Sequence, residues 1–221
     1  MLTNRSTTVA DILREAGFAT RLIGKWGLDG NFQTPRPPNV GFPTLQGFQS
    51  FYGQSDQWQC HDYYPQFQFN DTQNLTIPRN KGSSNATCGV DHAKCVWSAD
   101  LWTLDAVDWI TAHKNDPWFL YLACEFSNGR LRLLPTLTRP LLRTDTAPHA
   151  GSVGSVGEND VPVPRVSSGP YADRRGDWPD VEVHFATAVT EIDAAVGRVV
   201  DAVDSSGQAK STVIFFSSDN G

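Results

Sequence analysis

Near the end of the sequence, "TVIFFSSDNG" delivers Asp219 and Asn220 just after a short apolar run. A carboxylate and a side-chain carbonyl are hard oxygen donors of the kind Ca²⁺ takes, Mg²⁺ less readily, when a strand end holds them in place. Two donors do not fill such a shell, so further ligands must come from elsewhere. The same Asp-Asn-Gly triplet also suits a tight turn, because Asn and Gly readily take positive φ. Lys25, after "RLIG", offers an ammonium that can donate to a sulfate or phosphate oxygen or steady charge on a leaving oxygen. An ordinary exposed lysine at a strand end has the same local sequence, and Trp26 beside it reads as core. Of the five histidines, His61 in "CHDYYP" and His149 in "TAPHAG" stand in loop-like segments. There an imidazole can donate to an ester oxygen or pass a proton to a leaving group. His113, at the end of a helical pattern, and His92 and His184, with no partner motif, read as structural.

Three helix-then-strand units position these groups. In "STTVADILREAGFATRLIGKW", Thr8 and Asp11 resemble a capping box, Val9, Ile12, Leu13 and Ala16 share a helical face, Gly17 closes the helix, and "FATRLIG" reads as a strand. The second unit starts at Ser98, with Leu101, Ala106, Trp109 and Ile110 at helical spacing, and passes Pro117 into the strand "PWFLYLA". The third carries Phe185, Val189, Ile192, Val196, Val199 and Val203 every three or four residues, then Gly207, then "TVIFF". Alternating helices and short apolar strands predict the α/β class, with a parallel sheet covered by helices on both faces. Ligand sites in such sheets lie beyond the carboxyl ends of the strands. Lys25, the segment after "FLYLAC", and Asp219 with Asn220 all fall at such ends. Two irregular stretches, residues 27–96 and 125–180, separate the units; the first reads as an ordered surface excursion.

The totals narrow the options. With 221 residues and 39% hydrophobic content the chain can bury a sizeable core, and it is also short enough to be a piece of a larger domain. A formal charge of -6 with no block of five like charges argues against nucleic-acid binding. The longest apolar runs are far short of the roughly 20 residues a bilayer crossing needs, so no membrane span is predicted. The first residues do not resemble a secretory signal. Asn4, Asn70, Asn74 and Asn85 nevertheless head N-x-[ST] sequons, and Cys88 and Cys95 bracket a short loop suited to a disulfide. These two features favour an oxidising compartment, secreted or in the lysosomal and endomembrane lumen. Cys124, in an apolar strand, reads equally as a buried free thiol.

Taken together, the segments resemble the sulfatases, arylsulfatase-like members of the alkaline-phosphatase-like superfamily. The resemblance rests on "TVADILREAGFATRLIGKWGLDG", "GFQSFYG" followed by "HDYYP", "DPWFLYLA", "GPYADRRGDWPDVEVHFATAVTEIDAAVGRVVDAV" and "VIFFSSDNG", in that order over nearly the whole chain. It implies that Asp219 and Asn220 bind an active-site Ca²⁺, that Lys25 and His149 engage the sulfate and the leaving group, and that the substrate is a sulfated small molecule or carbohydrate. It further implies a formylglycine nucleophile made from the Cys or Ser of a C/S-x-P-x-R motif. That motif is absent from these 221 residues, as is the Asp-Asp pair of the first metal ligands. The chain therefore resembles an internal part of a sulfatase catalytic domain and is expected to be inactive by itself. Two further departures stand out. Gly27 occupies the place of the histidine in the family's GKWH, a role His61 is a candidate to fill. His149 also arrives about twenty residues late, which marks residues 126–145 as a possible insertion, such as a translated intron. Two other readings fit the same residues: a phosphate-ester hydrolase of the same superfamily, and a noncatalytic secreted relative that holds sugars on Phe51, Tyr52, Trp58, Tyr63 and Tyr64. Such aromatic clusters more often form core.

Overall fold

The computed structural model describes residues 2, 6–29, 40–56, 59–82, 88, 94–124 and 163–217. Helix α1 (Val9–Glu15) starts on the expected capping box: the Asp11 amide donates to Thr8 Oγ1 at 3.2 Å and the Thr8 amide to Asp11 Oδ2 at 3.0 Å. After Gly17 the chain enters β1 (Ala19–Lys25). Strands β2 (Ser50–Gln54), β3 (Phe67–Asn70) and β4 (Gln73–Thr76) come next. Helix α2 (Ser98–Ala112) leads into β5 (Trp118–Ala123), and helix α3 spans Asp180–Ser205.

Among the described residues these strands form one sheet in the order β4-β3-β2-β1-β5. β1 runs parallel to both β2 and β5, whereas β2–β3 and β3–β4 are antiparallel. The expected parallel sheet is therefore mixed, and the stretch read as an irregular excursion, 27–96, supplies three of its strands. Its Pro, Gly and aromatic residues hide strands of only four or five residues, too short for periodicity to reveal.

Helices cover both faces. Neighbouring residues on a strand point to opposite sides, so Leu22 packs with Ala10 of α1 and with Phe42, Phe48, Phe51 and Phe69, while Ile23 packs with Trp102 and Ala106 of α2. Trp102 is fully buried, and its indole donates to Gln68 Oε1 at 2.8 Å. A third cluster joins Tyr63, Tyr64, Trp97, Val163, Val166 and Val183. Phe51, Tyr63 and Tyr64 are thus core, and Tyr52 is half-buried, which removes them as a sugar-holding platform; Trp58 lies outside the described residues.

Three helical stripes shift relative to expectation. α1 buries Ala10, leaving Val9 and Ile12 each 58% exposed, because a two-turn helix sits close on a sheet through its smallest side chain. α2 buries Trp102 and Thr103 along with the expected Ala106 and Ile110. α3 buries Val183 and Ala188 against Val163 and Val166, and Ala202 and Val203 against α2, while Val189 is left 47% exposed. His184 is buried on α3, and His113 caps α2 with its Nδ1 2.9 Å from Trp109 O.

The third expected strand, "TVIFF", is not part of the sheet. Gln208 ties the end of α3 to β5, accepting from Trp118 Nε1 at 2.7 Å, and residues 212–217 then run without strand pairing. Phe215 is 90% exposed there. An apolar β-branched run dictates an extended local conformation, whereas its pairing partner is a non-local matter.

Cys88 and Cys95 form the expected disulfide, while Cys60 and Cys124 carry thiols, that of Cys60 donating to Gln54 O. Burial pushes the Cys124 thiol up to about 12, which makes it a poor nucleophile. No helix among the described residues is long and apolar enough to cross a membrane.

Candidate active site

Lys25 is the last residue of β1 and pairs in register with Gln54, the last residue of β2. The two strand ends stay together beyond that pair: the Trp26 amide donates to Gln54 O and the Gly27 amide to Ser55 O, each at 3.0 Å. One residue earlier, Gly24 pairs with both Gly53 and Ala123, so three backbones meet where β1 delivers the lysine.

Gln54 also anchors the turn that carries His61. Its Nε2 donates to Asp62 O at 3.0 Å, and its own carbonyl accepts from the Cys60 thiol at 3.3 Å. Asp56 holds the 3-10 turn Gln59–His61, accepting from the Gln59 amide at 2.8 Å through Oδ1 and from the Cys60 amide at 3.1 Å through its carbonyl. The end of β1 at Lys25 and the turn that carries His61 are therefore both tied to Gln54, at one end of the sheet. His149, Asp219 and Asn220 lie outside the described residues, as does the segment 126–145. Among the described residues, no group of three or more His, Cys, Asp or Glu could hold a metal.

Sequence reasoning passed over two residues here. Asp62 was overlooked beside His61, although a carboxylate flanked by Cys, His and two tyrosines signals a partly desolvated acid. Gln54 carried only a weak signal, its place after "FYG" at a strand end. Asp62 is half-buried, and desolvation raises its carboxyl from the ordinary 3.8 to about 6, against the opposing hydrogen bond from the Tyr64 amide. The folded protein holds this proton more tightly than the unfolded chain. Stability is therefore greatest below about pH 4 for this group and falls as pH rises to about 6, by about 3 kcal/mol in all. Asp62→Asn, which keeps an oxygen for the Tyr64 amide, is expected to remove that slope from urea unfolding midpoints measured between pH 4 and pH 7. An unchanged slope in the variant would locate the proton elsewhere.

Comparison with known proteins decides what this strand end belongs to. The family model described as Sulfatase matches residues 2–221. The chain belongs to the sulfatase family. This sulfatase-family chain is 25% identical over 218 residues to the arylsulfatase of the sea urchin Hemicentrotus pulcherrimus, covering 97% of itself and 31% of that protein. It is 24% identical over 222 residues to human arylsulfatase A, covering 97% of itself and 35% of that relative. It thus spans about a third of the length of the curated relatives it matches. Among solved structures, a Bacteroides fragilis chain provisionally assigned as a sulfatase superposes with a TM-score of 0.54 at 16% identity, over 94% of this chain and 42% of the other. That superposition supports the fold: a mixed sheet flanked by helices, forming part of a sulfatase-like domain.

Proposed function

We propose that the protein hydrolyses sulfate esters, with this chain supplying the anion-binding side of the site. The observation that carries the reading is the family match along the whole chain, together with Lys25 at the carboxyl end of β1. In this reading the Lys25 ammonium donates to a sulfate oxygen and offsets its charge. His149, with His61 as the second imidazole, holds or delivers the proton that the leaving ester oxygen takes up. The Asp219 carboxylate and the Asn220 carbonyl are hard donors suited to Ca²⁺, with Mg²⁺ the poorer fit. Asp219 and Asn220 would hold the ion, and calcium bound there would supply withdrawal of charge from the sulfate oxygens. The substrate class is a sulfated small molecule or carbohydrate. The 221 residues alone contain no C/S-x-P-x-R nucleophile motif, so turnover is proposed to need the longer protein.

The reading extends to an oxidising compartment, secreted or lumenal. The Cys88–Cys95 disulfide supports this, as do the exposed sequon residues Asn70 and Asn74 on the β3–β4 hairpin. The phosphate-ester alternative shares the lysine and the metal donors. Assaying the full-length protein with Ca²⁺ on 4-nitrophenyl sulfate and 4-nitrophenyl phosphate separates the two. Turnover of the sulfate ester is expected, and preference for the phosphate ester would overturn the assignment.

A further inference from the structure

Beside the end of β2 lies a cavity of about 210 Å³ lined by Gln54, Gln59, Asp62, Pro65, Gln66 and Phe67. Gln54 is only 2% exposed, yet its Oε1 has no hydrogen-bond partner among the described residues. Its Nε2 donates to the carbonyl of Asp62, an acceptor, so the orientation of the amide is settled and the unpartnered atom is an oxygen. A buried carboxamide oxygen left without a donor is destabilising, and such atoms in native proteins commonly mark a place where something else donates. Gln59 and Asp62 are half-buried and Gln66 is exposed, so the cavity opens to solvent.

The lining discriminates among ligand classes. Among the described residues the lining contains no lysine, arginine or histidine, and the Asp62 carboxylate would repel an anion, which argues against a second sulfate pocket. A divalent cation favours several oxygen anions, and the described lining residues offer one carboxyl. Three carboxamides can each donate and accept and the Asp62 carboxylate accepts, a set that matches hydroxyl groups, which do both. Pro65 and Phe67 supply an apolar wall for C–H groups. The volume falls below the roughly 300–1,000 Å³ of drug-sized sites, so it suits one ring of a larger molecule.

We propose that this cavity binds a neutral saccharide unit, with a sugar hydroxyl donating to Gln54 Oε1 and others paired with Gln59, Asp62 and Gln66. The proposal rests on the sulfate-ester reading for the saccharide's role, as an unsulfated part of the substrate, because Gln54 is the register partner of Lys25.

Saturation-transfer NMR of the full-length protein with lactose, cellobiose and maltose tests it. Transfer to at least one disaccharide is expected, with affinity at least about ten-fold weaker in Gln54→Leu, the loss expected for one buried hydrogen bond to a ligand. Should Gln54→Leu fail to fold, Gln59→Ala carries the test with the same expected direction, since among the described residues Gln59 bonds through its backbone. Absence of transfer from the wild-type protein to all three sugars overturns the proposal, as does binding that neither variant weakens. Turnover of 4-nitrophenyl sulfate by the wild-type protein is scored separately. Saccharide binding through Gln54 without sulfate turnover sinks the catalytic reading and leaves the cavity standing; sulfate turnover without saccharide binding does the reverse.

Discussion

Gly24→Ala is expected to cost the chain its folded state. Gly24 has φ +103, and a Cβ built there would lie 2.1 Å from Ala123 O, 2.9 Å from Ala123 C and 3.3 Å from Trp102 Cε3. The first two neighbours are backbone of the adjoining strand, held by the β1–β5 ladder, and Trp102 is fully buried. Nothing flexible is available to move aside. Positive φ for alanine costs about 1–2 kcal/mol, and forcing extra volume into a packed interior typically adds about 1–3 kcal/mol. An overlap this deep with backbone belongs at or beyond the top of that range. Against a net stability of about 5–15 kcal/mol for a whole domain, loss of soluble folded protein or a collapse of the urea midpoint is expected. Gly53, whose Cβ would meet Gly24 O at 2.1 Å, should respond in the same way. Gly207→Ala is the control: φ is +77 and nothing lies within 4 Å, so only the backbone penalty remains. A Gly24→Ala protein with a wild-type midpoint would mean that the three strands do not approach this closely ahead of Lys25.

Arg21→Met is expected to lower stability by about 3 kcal/mol, at the low end of the cost of breaking a buried ion pair from one side. Arg21 projects from β1 to α2, donating through Nε to Asp105 Oδ2 at 2.9 Å and through Nη2 to Oδ1 at 3.0 Å and Oδ2 at 2.7 Å. The Arg21 side chain is 11% exposed and that of Asp105 is 28% exposed. Desolvation raises the Asp105 carboxyl above its ordinary value even though the guanidinium pulls it down. The carboxylate is therefore already costly with its partner present, and removing the arginine leaves it half-buried and uncompensated. The double variant Arg21→Met/Asp105→Leu, which removes both charges, should recover most of the loss. Urea midpoints of the two singles and the double complete the cycle. Additive losses would mean that the pair is not coupled across the β1–α2 contact.

The units that were legible in the sequence had strong local signals. The Thr8–Asp11 box, Gly17 after the helix, the runs "ATRLIGK" and "WFLYLA", and the long helix before Gly207 all follow from capping, glycine at positive φ and apolar periodicity. What was not legible depends on partners distant in the chain. Strands β3 and β4 become strands by pairing with each other and with β2, and their own composition does not announce it. The segment 212–217 has a strand's composition and no pairing. Which helix face is buried was misjudged where small residues allow close approach, as at Ala10.

The place of Lys25 at a strand end was legible from the apolar run before it, and so was the core character of Phe51, Tyr63 and Tyr64. Gln54 and Asp62 were not. Their character comes from burial beside the turn at residues 59–62, a tertiary property that leaves little trace in residue type. His149, Asp219 and Asn220 stand on the family resemblance and on donor chemistry alone.

The role of Lys25 is the most direct test of the proposed chemistry. In the full-length protein with Ca²⁺, Lys25→Ala should lower kcat/KM for 4-nitrophenyl sulfate by about 10²–10³-fold, as expected when one group that stabilises developing charge is removed. The variant should keep the wild-type urea midpoint, because Lys25 ends its strand and is half-buried rather than core. Wild-type turnover by a folded Lys25→Ala protein would contradict the placement of the sulfate at the end of β1.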